Sequence, residues 1–182
     1  MQILEIIETE RLILRMWRES DAEIFAAINQ DEKVIEFLRG SLSLFDAQNF
    51  IAGANSHFKK YGFGLWAATL KETKELIGFV GLNVPDFESN FMPCVEIGWR
   101  LSSKHWKKGY AHEAAMEVLL VGFKNFHLKE IVSFTVPQNL RSIAVMEKIG
   151  MKRDFAGNFN HPKLSKDHHL SQHILYRISS EK

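Results

Sequence analysis

Two adjoining pieces decide the fold: Val95-Glu96-Ile97-Gly98-Trp99-Arg100-Leu101, and then Ser102-Ser103-Lys104-His105-Trp106-Lys107-Lys108-Gly109-Tyr110-Ala111-His112-Glu113. The first piece reads as a strand. The second turns and opens a long helix, from about Gly109 to Asn125. Ala114, Ala115, Val118, Leu119, Gly122 and Phe123 supply its apolar positions. Ile131 to Val136 reads as the next strand. A strand, a long helix and a parallel strand make a crossover unit.

Outward toward the N-terminus, Met1 to Arg11 is acidic and strand-like, and Arg11 to Met16 is a short strand. Ser20 and Asp21 are expected to cap a helix with Ile24, Phe25 and Ile28 on one stripe. Val34, Phe37 and Leu38 suggest a second short helix. Asp46 to Tyr61 reads as another, stopped by Gly62. Gly64 to Leu70 and Glu75 to Val84 are strands, turned by Lys71-Glu72-Thr73-Lys74. Outward toward the C-terminus, Ser142 to Ile149 is a helix closed by Gly150. Gly157 to His169 is expected to be a surface loop, and Ile174 to Ile178 a last strand. The antiparallel run before the crossover makes the sheet mixed. The expected class is α/β (α+β mixed), one domain over residues 1–182.

Composition narrows the function classes. The 182 residues are 46% hydrophobic and 25% charged, which excludes a disordered chain. Lys plus Arg is 23 against Asp plus Glu at 22. So balanced a charge argues against nucleic acid as a partner. Cys94 is the one cysteine, so no internal disulfide forms. No apolar run approaches the roughly 20 residues that cross a bilayer, and no signal peptide is legible. The expectation is a cytoplasmic protein with no membrane partner.

The turn Lys107-Lys108-Gly109-Tyr110-Ala111 precedes a helix N-terminus, whose free N–H groups and dipole suit a phosphate. It fits neither GxxxxGK[ST] nor GxGxxG, so a plain turn with solvated lysines remains open. Asn139 and Ser142 follow a strand and open a helix. They either reach a ligand or simply cap that helix. His168, His169 and His173 cluster in sequence without a matching acidic or Cys pattern, so no metal site is expected.

Taken in order, these pieces resemble the GCN5-related N-acetyltransferase (GNAT) family, in its RimJ/RimL-like branch. The resemblance begins at Glu8-Thr9-Glu10-Arg11-Leu12-Ile13-Leu14-Arg15. It continues through Gly64 to Ala67 and Ile77 to Leu82. It is strongest at Val95 to Leu101, Trp106 to Ala115 and Asn139 to Met151, and ends at His173 to Arg177.

The resemblance implies an acyl-CoA N-acyltransferase fold, a central twisted mixed sheet flanked by helices. It also implies an acetyl-CoA cofactor. Pyrophosphate is expected on Trp106, Lys107, Lys108, Gly109, Tyr110 and Ala111. The pantetheine arm is expected along the backbone of Trp99 and Leu101, with Asn139 and Ser142 near the thiol end. Lys107 stands where the family pattern has a first glycine, and is strained if that position takes a positive φ. His112 stands where the pattern has threonine.

Transfer to an amine needs a base. Glu96 lies in an otherwise apolar strand, where burial raises a carboxyl toward a useful pKa. The alternative is structural, because Arg100 is four residues on and on the same strand face. The resemblance implies a tyrosine acid in the helix after the Asn, but none stands between Asn139 and Met151; Ser142 occupies the position that the RimL-like resemblance implies for an acid or relay, and its alternative is capping or cofactor contact. Trp17, Trp66, Phe87 and Phe91 are candidate walls of the acceptor pocket, or simply core aromatics. The expected activity is acetyl transfer to a primary amine, a protein N-terminus such as a ribosomal protein's or a small molecule. Rival readings are a non-catalytic acyl-CoA-binding sensor, or an acetyltransferase for an antibiotic or amino-acid amine. Homodimers are common in the family.

Overall fold

The computed structural model describes residues 3–180. Eight strands form one sheet in the order β1-β2-β3-β4-β5-β6-β8-β7. They are β1 Ile6–Glu8, β2 Leu12–Arg15, β3 Leu65–Leu70, β4 Leu76–Asn83, β5 Glu96–Leu101, β6 Glu130–Thr135, β7 Lys152–Asn160 and β8 Gln172–Ser179. The helices are α1 Ala22–Ile28, α2 Glu32–Ile35, α3 Leu44–Tyr61, α4 Tyr110–Lys124 and α5 Leu140–Lys148. Strands β1 to β5 run as an antiparallel meander, and β5 to β6 is the parallel crossover through α4. The expected mixed α/β class holds. The strand-like N-terminus narrows to β1; Met1 and Gln2 lie outside the described residues.

Most elements follow from local chemistry. Helix α3 opens with a capping box in which Ser43 and Asp46 satisfy each other's N–H groups, and stops at Gly62, whose φ of 78° is cheap only for glycine. Helix α4 buries Ala114, Ala115, Val118 and Leu119 against the sheet, with Ile77, Leu82, Ile97 and Ile131 in the same cluster. Gly122 lets it approach: an added Cβ there would lie 2.8 Å from Ile131. On the other face, Trp17, Phe25, Ile51 and Phe79 form a second core under α1 and α3.

Four expectations change. Asp21 does not cap α1 with its carboxylate, which instead takes Arg15 through two hydrogen bonds of 2.7 and 2.8 Å. Ile24 is 47% exposed, so the buried stripe of α1 is Ala22, Phe25 and Ile28. Helix α2 ends at Ile35, before Phe37 and Leu38. The surface loop expected from Gly157 begins too early: 152–160 is strand β7, hydrogen-bonded to β8 with a register shift between Asp154 and Phe159.

The feature that makes a site is the β5–β6 junction. These strands meet at a single register position, Glu96 opposite Val132, beside a bond from Val132 N–H to the Val95 carbonyl at 2.9 Å. Beyond Glu96 they splay, and the edge of β5 facing β6 has no strand partner.

Candidate active site

Two cavities follow the splay. One, of about 450 Å³, runs from Trp99 and Leu101 to the N-terminal turn of α4. The other, of about 670 Å³, lies between β5 and β6 and holds Glu96, Gly98, Ser133 and Thr135 on its wall. They share Phe37, Leu38, Trp99, Arg100, Asn139 and Ser142, so they adjoin as a two-part passage.

At the far end of the first cavity, Lys107 (φ 61°) and Gly109 (φ 84°) both take left-handed backbone. Lysine therefore carries the strain that a glycine would avoid. No side chain caps α4. The N–H groups of its first turn are left for an outside acceptor, at the positive end of the helix dipole. The turn is braced from behind. Arg11 reaches Glu113 at 2.6 Å and the Lys108 carbonyl at 2.9 Å, and its guanidinium lies over the Tyr110 ring at 4.5 Å. Burial alone would raise the Glu113 carboxyl. Hydrogen bonds from Thr9 and from the backbone and side chain of Arg11 outweigh it and hold the pKa below the usual range. The Trp106 indole donates to the Leu101 carbonyl at 2.8 Å, fixing the loop that delivers the turn.

Of the residues expected on the cofactor path, Trp99, Leu101, Trp106, Lys107, Gly109, Tyr110, Ala111, Asn139 and Ser142 all line the first cavity. Lys108 does not; its carbonyl is held by Arg11. The Leu101 carbonyl is already engaged by Trp106. Asn139 caps α5, its Oδ1 accepting from Ser142 N–H at 3.2 Å and its Nδ2 donating to Thr135 Oγ at 3.0 Å. Among the described residues the Ser142 hydroxyl has no hydrogen-bond partner, and Ser142 lines both cavities. Arg141 was not foreseen. It stacks over Trp106 at 4.7 Å and pairs with Glu36 at 2.5 Å, joining α5 to the segment after α2 across the first cavity.

Glu96 lies where the strands join. Protein surrounds its half-buried carboxyl except on the cavity side, and this desolvation pushes its pKa up to about 7. Asn83, directly opposite on β4, opposes the shift through a side-chain hydrogen bond. Arg100 is not its partner. Its Nη1 donates to Asn29 Oδ1 at 2.6 Å, and its guanidinium lies 5.6 Å from the Phe79 ring centroid. Beside Glu96, Gly98 keeps space open, since an added Cβ would meet only Glu96 Oε1, at 3.9 Å.

The expected acceptor walls are corrected. Trp66 is fully buried, its indole donating to the Leu4 carbonyl at 3.0 Å; Trp17 is buried and donates to Leu65 at 2.7 Å. Neither lines a cavity. Phe91 is buried and Phe87 half-buried, packed with Phe159 behind Phe134, which does line the larger cavity. Size and hydrophobicity put these rings in the core. The observed wall includes Phe37, Phe50, Phe79, Phe134, His161 and His173. Among the described residues no group of three His, Cys, Asp or Glu side chains could hold a metal. Among the described residues no helix is long and apolar enough to cross a membrane.

Residues 11–152 match the family model described as the acetyltransferase (GNAT) domain. The chain belongs to the GNAT family. The chain is thus an N-acetyltransferase with acetyl-CoA as its acyl donor. The acetyltransferase is 30% identical to an uncharacterized N-acetyltransferase, p20, of Bacillus licheniformis, over 84% of this chain and 88% of the relative. It also matches the crystal structure of a GNAT-family acetyltransferase from Bacillus anthracis, with a TM-score of 0.77 and 30% identity, covering 96% of this chain and 98% of that one. A Mycobacterium smegmatis RimJ in complex with CoA-disulfide shares the fold at 19% identity, with a TM-score of 0.75 over 96% of this chain and 87% of that one.

The first cavity fits such a donor. It offers uncapped helix N–H groups, the cationic side chain of Lys107 in the turn, an unpaired strand edge and a largely apolar lining. His105, on its wall, also leaves a buried Nδ1 without a partner.

Proposed function

We propose that this chain transfers an acetyl group to a primary amine by direct attack, with Glu96 as the base. The amine is that of a small molecule or of a peptide N-terminus entering the larger cavity. The observation that carries this reading is a raised carboxyl on the wall of one cavity, adjoining a second that ends at an uncapped helix N-terminus. Such a passage suits an extended donor with phosphates at one end and the reacting group at the other.

Bound acetyl-CoA supplies an activated thioester. The protein's residues do the rest. The N–H groups of the α4 first turn, with Lys107, hold the phosphate end. The unpaired edge of β5 at Trp99 orients the arm. Glu96, with a pKa near 7, is half ionised at neutral pH and takes a proton from the incoming ammonium, directly or through water. Ser142 Oγ, free of protein partners between the cavities, is positioned to relay a proton toward the departing sulfur. Aromatic walls keep water from the reacting centre, and positioning supplies much of the acceleration.

A RimJ/RimL-like acceptor, a protein N-terminus, is supported by the ending His173 to Arg177 and the Asn139–Ser142 pair. A ribosomal-protein-serine acetyltransferase structure from Vibrio cholerae shares the fold, at 20% identity. The test is thermal unfolding with acetyl-CoA, ATP or NAD, followed by thiol release over a panel of amines and peptides. Donor at about 100 times its Kd should raise the Tm by roughly 5–10 °C. A shift with acetyl-CoA alone and turnover with an amine are the expected results. No shift in a folded protein overturns the reading.

A further inference from the structure

Arg100 is a charged group shared by both cavities that the mechanism leaves unused. It projects from β5 on the same face as Glu96 and Gly98, and it lines both cavities. Removing a guanidinium from water is costly unless an anion compensates. Here its surroundings lower the pKa to about 10 by desolvation, with no carboxylate acting on it. Its protein partners are Asn29 Oδ1, met by Nη1 alone, and the Phe79 ring. Among the described residues Nε and Nη2 have no hydrogen-bond partner, and neither atom is fully buried.

The rest of the larger cavity leans the same way. Arg39 lines it at an exposed position without an ion pair. Its two acids are Glu96 and Asp46, and Asp46 is tied to Ser43 by N–H and hydroxyl bonds. His161 accepts the Lys163 N–H on Nδ1, which leaves Nε2–H as a donor. The wall thus presents a two-pronged guanidinium edge, a second arginine and an imidazole N–H, with little negative charge to oppose them.

We infer that the amine acceptor carries an anionic group, a carboxylate or a phosphate, which seats against the free Nε and Nη2 edge of Arg100. Arg39 guards the mouth of the same cavity. The inference rests on the acetyl-transfer reading above and names the class of its acceptor. Planar, forked donors of this kind suit both oxyanions.

The test uses amines in matched pairs: L-phenylalanine against L-phenylalaninamide, and 2-aminoethyl phosphate against ethanolamine. Binding is read by calorimetry with CoA present, and turnover by thiol release from acetyl-CoA. The expected result is roughly tenfold or greater preference for the anionic member of at least one pair. Arg100→Gln abolishes that preference and Arg100→Lys reduces it, with acetyl-CoA affinity unchanged in both. The pair that responds separates carboxylate from phosphate. Equal binding within both pairs overturns the inference, and so does a preference that survives in Arg100→Gln. Loss of acetyl-CoA affinity in folded Arg100→Gln or Arg100→Lys also overturns it, because the arginine then serves the donor. An Arg100-dependent binding preference without any turnover supports the anion site and counts against the acetyl-transfer reading alone.

Discussion

Glu96 and Arg100 share one face of β5, yet they do not pair: the guanidinium turns to Asn29, and the carboxyl keeps to Asn83 and the cavity. A carboxyl held by an arginine would stay ionised far below neutrality. This one, desolvated and without a cation, has its pKa raised to about 7.

Glu96→Gln should therefore remove a base. Wild-type kcat/KM is expected to rise with pH to a plateau above about 7, since only the ionised carboxylate accepts a proton. The variant should lose that limb and fall about 100-fold at the plateau, with acetyl-CoA affinity kept. Stability runs the other way. A carboxyl whose folded pKa exceeds its unfolded value stabilises at low pH, and that contribution is lost as pH rises from about 4.5 to about 7. Glu96→Gln should melt above the wild type at pH 8. An unchanged pH–rate profile would dismiss Glu96 as the base.

Gly98→Leu should fold, because an added Cβ makes only an ordinary contact, with Glu96 Oε1 at 3.9 Å. The larger side chain then fills the cavity beside Glu96. The expected outcome is a wild-type Tm, wild-type acetyl-CoA binding and a kcat/KM for the amine at least tenfold lower. Undiminished turnover would mean that the acceptor enters elsewhere.

Lys107→Gly relieves left-handed strain of about 1 kcal/mol, partly offset by the greater freedom of glycine in the unfolded chain. A Tm rise of roughly 1–3 °C is expected. Lys107→Val, with a β-branched side chain at φ near 60°, should lower the Tm. In calorimetric titrations at increasing salt, Lys107→Gly should also bind acetyl-CoA with a weaker salt dependence, since one cation near the phosphates is gone.

His57 ties α3 to the chain just before β3 and just after β4. Its Nε2 accepts the Val84 N–H at 3.1 Å and its Nδ1–H donates to the Phe63 carbonyl at 2.9 Å. Only the neutral ring can do both. Burial lowers its pKa, opposed by the Phe63 bond and aided by Lys60. The stabilisation is complete above about pH 6.5 and is lost as pH falls through the lower folded value. His161 and His173 shift in the same direction, so the informative quantity is the Tm difference between wild type and His57→Gln. It should shrink between pH 7 and pH 5; a constant difference would refute the bridge.

The donor side was legible because it is built from consecutive residues. Trp99 to Ala111 carries a strand, a turn and a helix start, and local pattern alone orders them. The acceptor side comes from long-range pairing. Phe134, His161 and His173 meet only because 152–160 pairs with β8, and that stretch, with Gly157 and few β-branched residues, offered no alternation to read. Trp17 and Trp66 misled for the opposite reason: a large ring in a strand region is as good a core residue as a pocket wall. The partner of Arg100 lay 71 residues away, at the end of α1, beyond any spacing argument.

The single register pair at Glu96 and Val132 has a mechanical consequence. Strands β1 to β5 on one side and β6 to β8 on the other pair with each other at that position, and α4 packs across both halves. The gap beyond it is therefore a notch in a sheet that is otherwise held together, not a cleft between separate bodies. The carboxyl sits at the vertex of the notch, where backbone pairing on both sides fixes its strand. A proposed base placed there keeps its position whatever fills the space beyond.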